Sequence, residues 1–255
     1  MTRFERDGDL GIVVIDEPPL NLFGRELTQA VFEAVGEAEE SSVRALLIRA
    51  EGSVFTGGAD VHVFDGLTPD QSREFTAQLM TLTHRLEDLP IPTLACVHAL
   101  CLTAGFELSL ACDLIWAAES ARFGLVERVV GLTPLMGGTQ RVAERAGPAR
   151  ARELVMSGRL YGAAELERWN VLNRVLPDDQ LEDKALKFAR DLADGPTLAH
   201  GATKQIVRAF LEHGVRGADE RTAEIGAPLF ASEDLNGAVK SFLKDGPGKA
   251  TFRGR

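Results

Sequence analysis

Two glutamates stand where carboxylates are costly. Glu107, in "TAGFELSLACD" (103–113), follows eighteen uncharged and mostly apolar residues, "LPIPTLACVHALCLTAGF". Glu127 lies in a second mostly apolar stretch, "ARFGLVERVVGL". An ionised carboxylate in apolar surroundings is unfavourable unless partnered, and desolvation raises its pKa. The two are 20 residues apart, too far for one helix face, so only the fold can bring them together. Two carboxylates tuned by their surroundings form an acid–base set. The residues alone leave a structural role open for each, as the partner of Arg122, Arg128 or a helix end. For Glu127, the adjacent Arg128 favours pairing.

Two glycine-containing turns supply a second kind of chemistry. "GSVFTGGAD" (52–60) follows an apolar run, and its small residues would let a ligand approach the backbone. Asp60 could cap a helix after it. "TAGFE" stands just ahead of an apolar helical run, where N–H groups point outward and favour negative charge. If the two turns converge, they can hold one developing oxyanion between two N–H donors.

The elements that would position these groups read as an α/β fold. "LGIVVIDE", "VRALLIRA", "IPTLACV" and "CDLIWAAE" have the short, β-branched or apolar character of strands. "GRELTQAVFEAVGEAEE" places Leu27, Val31, Ala34, Val35 and Ala38 at helical spacing, and "PDQSREFTAQLMTLTHRLEDL" is a second amphipathic helix. Strands alternate with helices through residue 120. From about residue 140 the pattern is helical, with Gly and Pro as punctuation, and its last segment, "RTAEIGAPLFASEDLNGAVKSFLKDG", reads as one helix.

Composition narrows the function classes. The 255 residues are 45% hydrophobic and 26% charged, an ordinary globular balance. A net charge of −10 argues against nucleic-acid binding but leaves room for an anionic small ligand met by local basic residues. "MTRFERDGDL" is acidic where a signal peptide is basic, and the apolar run at 89–106 contains Pro90, Pro92 and His98, so a membrane span is a poor reading. Cys96, Cys101 and Cys112 have no CxxC spacing and read as reduced, buried thiols of a cytoplasmic protein. The five histidines show no HxH or HxxxH pattern, and no metal site is expected. Asp113, His98, Trp116 and Trp169 read as structural, and His62 as a residue of the pocket entrance.

Taken in order, "FTGGAD", "TAGFELSLACD", "ARFGLVERVVG", "PLMGGTQR" and "NVLNRVLP" resemble the successive motifs of the crotonase, or enoyl-CoA hydratase/isomerase, superfamily. The resemblance covers essentially the whole chain. It implies a spiral of β-β-α units over 1–194 carrying an acyl-CoA site. A C-terminal helical region over 195–255 would then assemble trimers or dimers of trimers. It implies an acyl-CoA thioester substrate and no metal or redox cofactor, coenzyme A being part of the substrate. By matching positions, the backbone N–H groups of Ala59 and Ala104 form the oxyanion hole, and Glu107 and Glu127 are the catalytic pair. Asp60, Val61, Leu135 and Met136 join Ala59 in the substrate site. Leu22, Lys244 and Lys249 are CoA-binding candidates, with Arg253 beside them.

The expected reaction is hydration of a 2-trans-enoyl-CoA to a 3-hydroxyacyl-CoA. Glu107 would deprotonate the water attacking C3 while Glu127 delivers a proton to C2. Isomerisation, thioester hydrolysis and a non-catalytic acyl-CoA-binding subunit are the alternatives on the same scaffold. Three departures stand out: Thr103-Ala104 replace glycines, Val126 stands where proline is common, and Leu135-Met136 replace small residues. The bulkier side chains are expected to shorten or reshape the acyl pocket.

Overall fold

Four times along the chain a strand of one large sheet is followed by a two- or three-residue strand set to its side, and then by helical structure. The computed structural model describes residues 1–255. After an edge strand β1 (Arg3–Asp7), the first turn is β2 (Leu10–Ile15), β3 (Leu22–Phe23) and α1 (Arg25–Glu40). The second is β4 (Ala45–Ala50), β5 (Gly58–Ala59) and α2 (Pro69–Asp88). The third is β6 (Thr93–Val97), β7 (Leu100–Leu102) and α3 (Thr103–Leu110). The fourth is β8 (Leu114–Ala118) and β9 (Arg122–Gly124), followed by a 3-10 turn at Glu127–Val130 and α4 (Gly138–Ala146). Thereafter come α5 (Pro148–Ser157), β10 (Tyr161–Gly162), α6 (Ala163–Arg168), β11 (Arg174–Leu176), α7 (Leu181–Ala193), α8 (Thr197–Gly226) and α9 (Glu233–Asp245). This is the expected α/β spiral of β-β-α units with a helical C-terminal region.

The large sheet runs β1-β2-β4-β6-β8-β11, parallel except for the β1–β2 hairpin. Leu47 stands opposite both Ile12 and Leu94, and Leu94 opposite Leu114, so one register carries the core across the sheet. Every residue of β2 is buried, as expected of a parallel strand covered on both faces. Helix α1 buries the five residues its spacing predicted. Thr68 caps α2 in a reciprocal box with Gln71, which fixes where that helix begins.

The short strands form β3-β5 and β10-β9-β7, linked where Thr56 bridges Cys101. They bring the turn after β4 against the start of α3. Asn21, buried between β2 and β3, donates through its side-chain amide to the carbonyls of Glu51, Val54 and Phe55 and accepts from Glu17 N–H. The loop leading into β5 is thereby tied down at three points.

Two sequence expectations need correction. The segment 221–246 is not one helix: α8 ends at Gly226, Pro228 sits in a 3-10 turn, and Ser232 caps α9 through Leu235 N–H. The region after residue 140 is not purely helical, because β10 and β11 return to the sheets. Inside α8, Gly214 adopts φ +70° and ψ −178° and breaks the helix into two arms. No helix is long and apolar enough to cross a membrane.

The structural readings of the conspicuous side chains hold. Asp113 accepts from Thr93 N–H and Oγ1 and pairs with Lys204, fastening the turn between α3 and β8. His98 lies within hydrogen-bond distance of the Gly52 carbonyl. Trp116 stacks on Phe188 of α7, and Trp169 packs on Tyr161.

Candidate active site

Helix α3 is only eight residues long and all eight are buried, and Glu107 is its one charged residue. Its N-terminus faces a cavity of about 170 Å³. Phe23, Gly57, Ala59, Thr103, Ala104 and Glu107 form one side of that cavity, and Val126, Glu127, Leu132, Thr133, Leu135 and Met136 another. Phe64 and Phe75, packed edge to face, add to the lining with Val61, Val63 and Leu79. The fold thus brings Glu107 and Glu127 to one apolar chamber beside both glycine-containing turns.

Glu107 is 3% exposed and held by one oxygen. Its Oε1 accepts from the N–H of Met136 at 2.8 Å and of Gly138 at 2.9 Å, the latter being the first residue of α4. A helix N-terminus favours a carboxylate, and Gly138 is needed there because a Cβ would come within 2.8 Å of Glu107 Cγ. Burial nevertheless dominates and pushes the carboxyl from 4.5 up to about 7, against the two N–H bonds and the charge of Arg141. Arg141 itself is fixed by a fork onto Glu87 and a bond to the Met136 carbonyl.

Glu127 is 9% exposed, and neither of its carboxylate oxygens has a hydrogen-bond partner. Burial and then the charge of Glu107 lift it to about 8. The pairing with Arg128 suggested by adjacency is overturned. Arg128 turns outward from the 3-10 turn and donates to the carbonyls of Met156 and Ser157. Only its own backbone N–H acts to lower that value, so the burial of this carboxylate is largely uncompensated.

The two donor turns converge, with one difference from the expectation. Ala104, at the second position of α3, has no intrahelical acceptor for its N–H. The Ala59 N–H is already engaged, donating to Thr103 Oγ1 at 2.7 Å. Thr103 takes φ +42°, a left-handed conformation unusual for a β-branched residue. Gly105 follows because a Cβ there would fall 2.0 Å from Thr56 Cγ2. Thr56 Oγ1 in turn accepts from Gly58 N–H and donates to the Asn21 carbonyl.

Other expected site residues divide. Val61, Leu135 and Met136 line the cavity, and Leu22 lies in β3 paired to Gly58. Asp60 does not line it; its carboxylate caps the next 3-10 turn through His62 N–H and meets His62 Nδ1 at 2.6 Å. His62 is exposed and likewise lies outside the lining, contrary to its reading as an entrance residue. Lys244 and Lys249 are exposed and absent from the cavity wall within one chain. The C-terminal segment instead returns to the opposite ends of the strands. There Arg44, just ahead of β4, binds the Phe252 and Gly195 carbonyls and Thr197 Oγ1. Arg253 N–H is held by Asp234. Sequence reasoning missed Asn21 as a side-chain scaffold, Thr56, the Met136 and Gly138 N–H groups, and Arg141. The only advance signals were the "PLN" and "GGTQR" turns.

The sequence model described as "Enoyl-CoA hydratase/isomerase" matches residues 5–249. The chain is 30% identical to a "Probable enoyl-CoA hydratase" of Mycobacterium bovis, over 98% of this chain and 97% of that one. It is 28% identical to the short-chain-enoyl-CoA hydratase of Clostridium acetobutylicum, over 94% and 93%. Among solved structures, enoyl-CoA hydratase subunit I from Geobacillus kaustophilus superposes with a TM-score of 0.92 at 30% identity, over 100% of this chain and 98% of that one.

Proposed function

The chain belongs to the enoyl-CoA hydratase/isomerase family, and from that premise we propose that it hydrates a 2-enoyl-CoA thioester to a 3-hydroxyacyl-CoA. The observation that carries this reading is the pair of buried carboxylates in one apolar chamber, one anchored and one without a partner. A thioester conjugated to a C2=C3 double bond is electrophilic at C3, and addition there places negative charge on the thioester oxygen. The Ala104 N–H, with a second donor where the Ala59 turn meets Thr103, holds that oxygen, by analogy worth ~3 kcal/mol per donor in the transition state.

With values of about 7 and about 8, the coupled pair carries close to one proton slightly above neutral pH. Glu107 is then the base, its Oε1 fixed by Met136 and Gly138 and its second oxygen left for water. It takes a proton from the water that attacks C3. Glu127, whose carboxyl oxygens no side chain or neighbouring backbone group holds, gives its proton to C2. The reaction needs no metal or redox cofactor, since coenzyme A enters with the substrate.

A small chamber walled by Leu135 and Met136 supports a short acyl group. CoA contacts are assigned to the β3 turn near Leu22 and to basic residues of the chain's end, Lys244 and Lys249, supplied by a neighbouring subunit. Homotrimers or dimers of trimers are supported by the apolar side chains that the C-terminal helices leave exposed, among them Val207, Phe210, Leu211 and Phe242. Three unpaired buried cysteines support a cytoplasmic setting. The test is loss of conjugated-thioester absorbance with enoyl-CoAs of increasing length. Turnover falling steeply beyond short chains supports the reading, and equal turnover of long and short chains overturns the acyl-length assignment. No turnover at any length overturns hydration.

A further inference from the structure

Thr103 occupies the place where the two donor turns meet. Its Oγ1 accepts the Ala59 N–H at 2.7 Å, it lines the cavity, and it is 7% exposed. The hydroxyl donates to no protein acceptor, so its proton is free for a ligand. The contact is built rather than incidental. Gly58 takes φ +101°, and a Cβ there would sit 2.4 Å from Thr103 Oγ1, so the opposing turn is shaped to admit the hydroxyl. Thr103 itself holds φ +42° to deliver it. Backbone held in a sparsely populated region at a ligand site needs such surrounding support.

We propose that Thr103 is a catalytic residue whose hydroxyl, polarised by the Ala59 N–H, replaces that N–H as a donor to the thioester oxygen. The oxyanion hole is then the Ala104 N–H and the Thr103 O–H, with Ala59 acting one bond behind. The inference rests on the acyl-CoA reading above. A hydroxyl that accepts a hydrogen bond donates more strongly, because successive bonds polarise one another. No proton is transferred: the enolate oxygen accepts a hydrogen bond from Thr103 and the proton stays on Oγ1.

The experiment reads the bound carbonyl directly and does not depend on which reaction follows. Butanoyl-CoA, saturated and unable to hydrate, is bound to wild type, Thr103→Ser, Thr103→Val and Thr103→Gly. The thioester carbonyl stretch is recorded by isotope-edited infrared difference spectroscopy. Wild type and Ser are expected to lower the frequency alike, Val to return it toward the free value, and Gly to restore the lowering by opening the Ala59 N–H. In steady-state turnover, Val is expected to lower kcat by on the order of 10²-fold and Ser by only a few fold. If Val does not fold, Thr103→Cys, which keeps a γ atom at the same place but a much weaker donor, reads the same loss. A Val or Cys spectrum equal to wild type, with Gly shifted further, identifies the hydroxyl as a plug and overturns the proposal, as does Ser falling with Val. Absence of butanoyl-CoA binding to wild type overturns the acyl-CoA reading itself and this inference with it.

Discussion

Glu107→Gln should stabilise the protein as it disables it, and the gain should grow with pH. Glu107 is 3% exposed, and burial lifts its carboxyl from 4.5 to about 7. In the unfolded chain the same group ionises near its ordinary value, so between the two values the folded protein holds a proton that the unfolded chain has released. Stability therefore falls as pH rises through that window, and the cost is complete above the folded value. A rise from 4.5 to about 7 corresponds, at 1.36 kcal/mol per unit, to about 3 kcal/mol.

Glutamine has the shape of the protonated acid and keeps an oxygen for the Met136 and Gly138 N–H groups. Wild type and variant should be equally stable at about pH 4, and the variant more stable by about 3 kcal/mol at about pH 8.5. Glu127 adds to the same sign, because its own carboxyl is held up partly by the charge of Glu107. Urea unfolding of both proteins across this range measures the difference, and carboxylates elsewhere cancel in it. A difference that does not change with pH would refute the claim that Glu107 is buried without full compensation.

Glu127→Gln should lower kcat by roughly 10²–10⁴-fold, as expected for a lost general acid, while a saturated acyl-CoA still binds; equilibrium binding beside turnover checks both. Asn21→Ala removes the amide that holds the Glu51, Val54 and Phe55 carbonyls and should cost about 2–4 kcal/mol in denaturant unfolding while raising KM. Gly105→Ala drives a Cβ to 2.0 Å from Thr56 Cγ2. It should destabilise by about 1–3 kcal/mol and slow turnover by displacing the Ala104 N–H, read by thermal unfolding and kinetics. Arg141→Met removes the charge that lowers Glu107, so the lower limb of the pH–rate profile should move to higher pH.

How far these groups were legible in the sequence depended on the range of the forces that set them. Glu107 declared itself because a charge in a long apolar run has few structural explanations, and α1 because its burial follows a regular spacing. Glu127 misled by proximity: in a 3-10 turn the next residue points elsewhere, and Arg128 follows the carbonyls of Met156 and Ser157. Strands β3, β5 and β10 are two residues long, too short to show alternation, and are defined by pairing partners distant in sequence. The role of Asn21 depends on carbonyls at least 30 residues away, which no local pattern encodes. Thr103 was visible as a replaced glycine, but its bond to Ala59 N–H spans 44 residues and exists only in the folded turn.

The central claim is addition of water across C2=C3 by the two glutamates, and isotope labelling tests it most directly. Crotonyl-CoA is incubated in H₂¹⁸O with wild type, Glu107→Gln and Glu127→Gln, and the products are analysed by mass spectrometry. The account predicts 3-hydroxybutanoyl-CoA with one ¹⁸O at C3 from wild type and a severe loss of that product in both variants. Free coenzyme A with a labelled carboxylate, a shifted double bond without label, or undiminished product from both variants would contradict it.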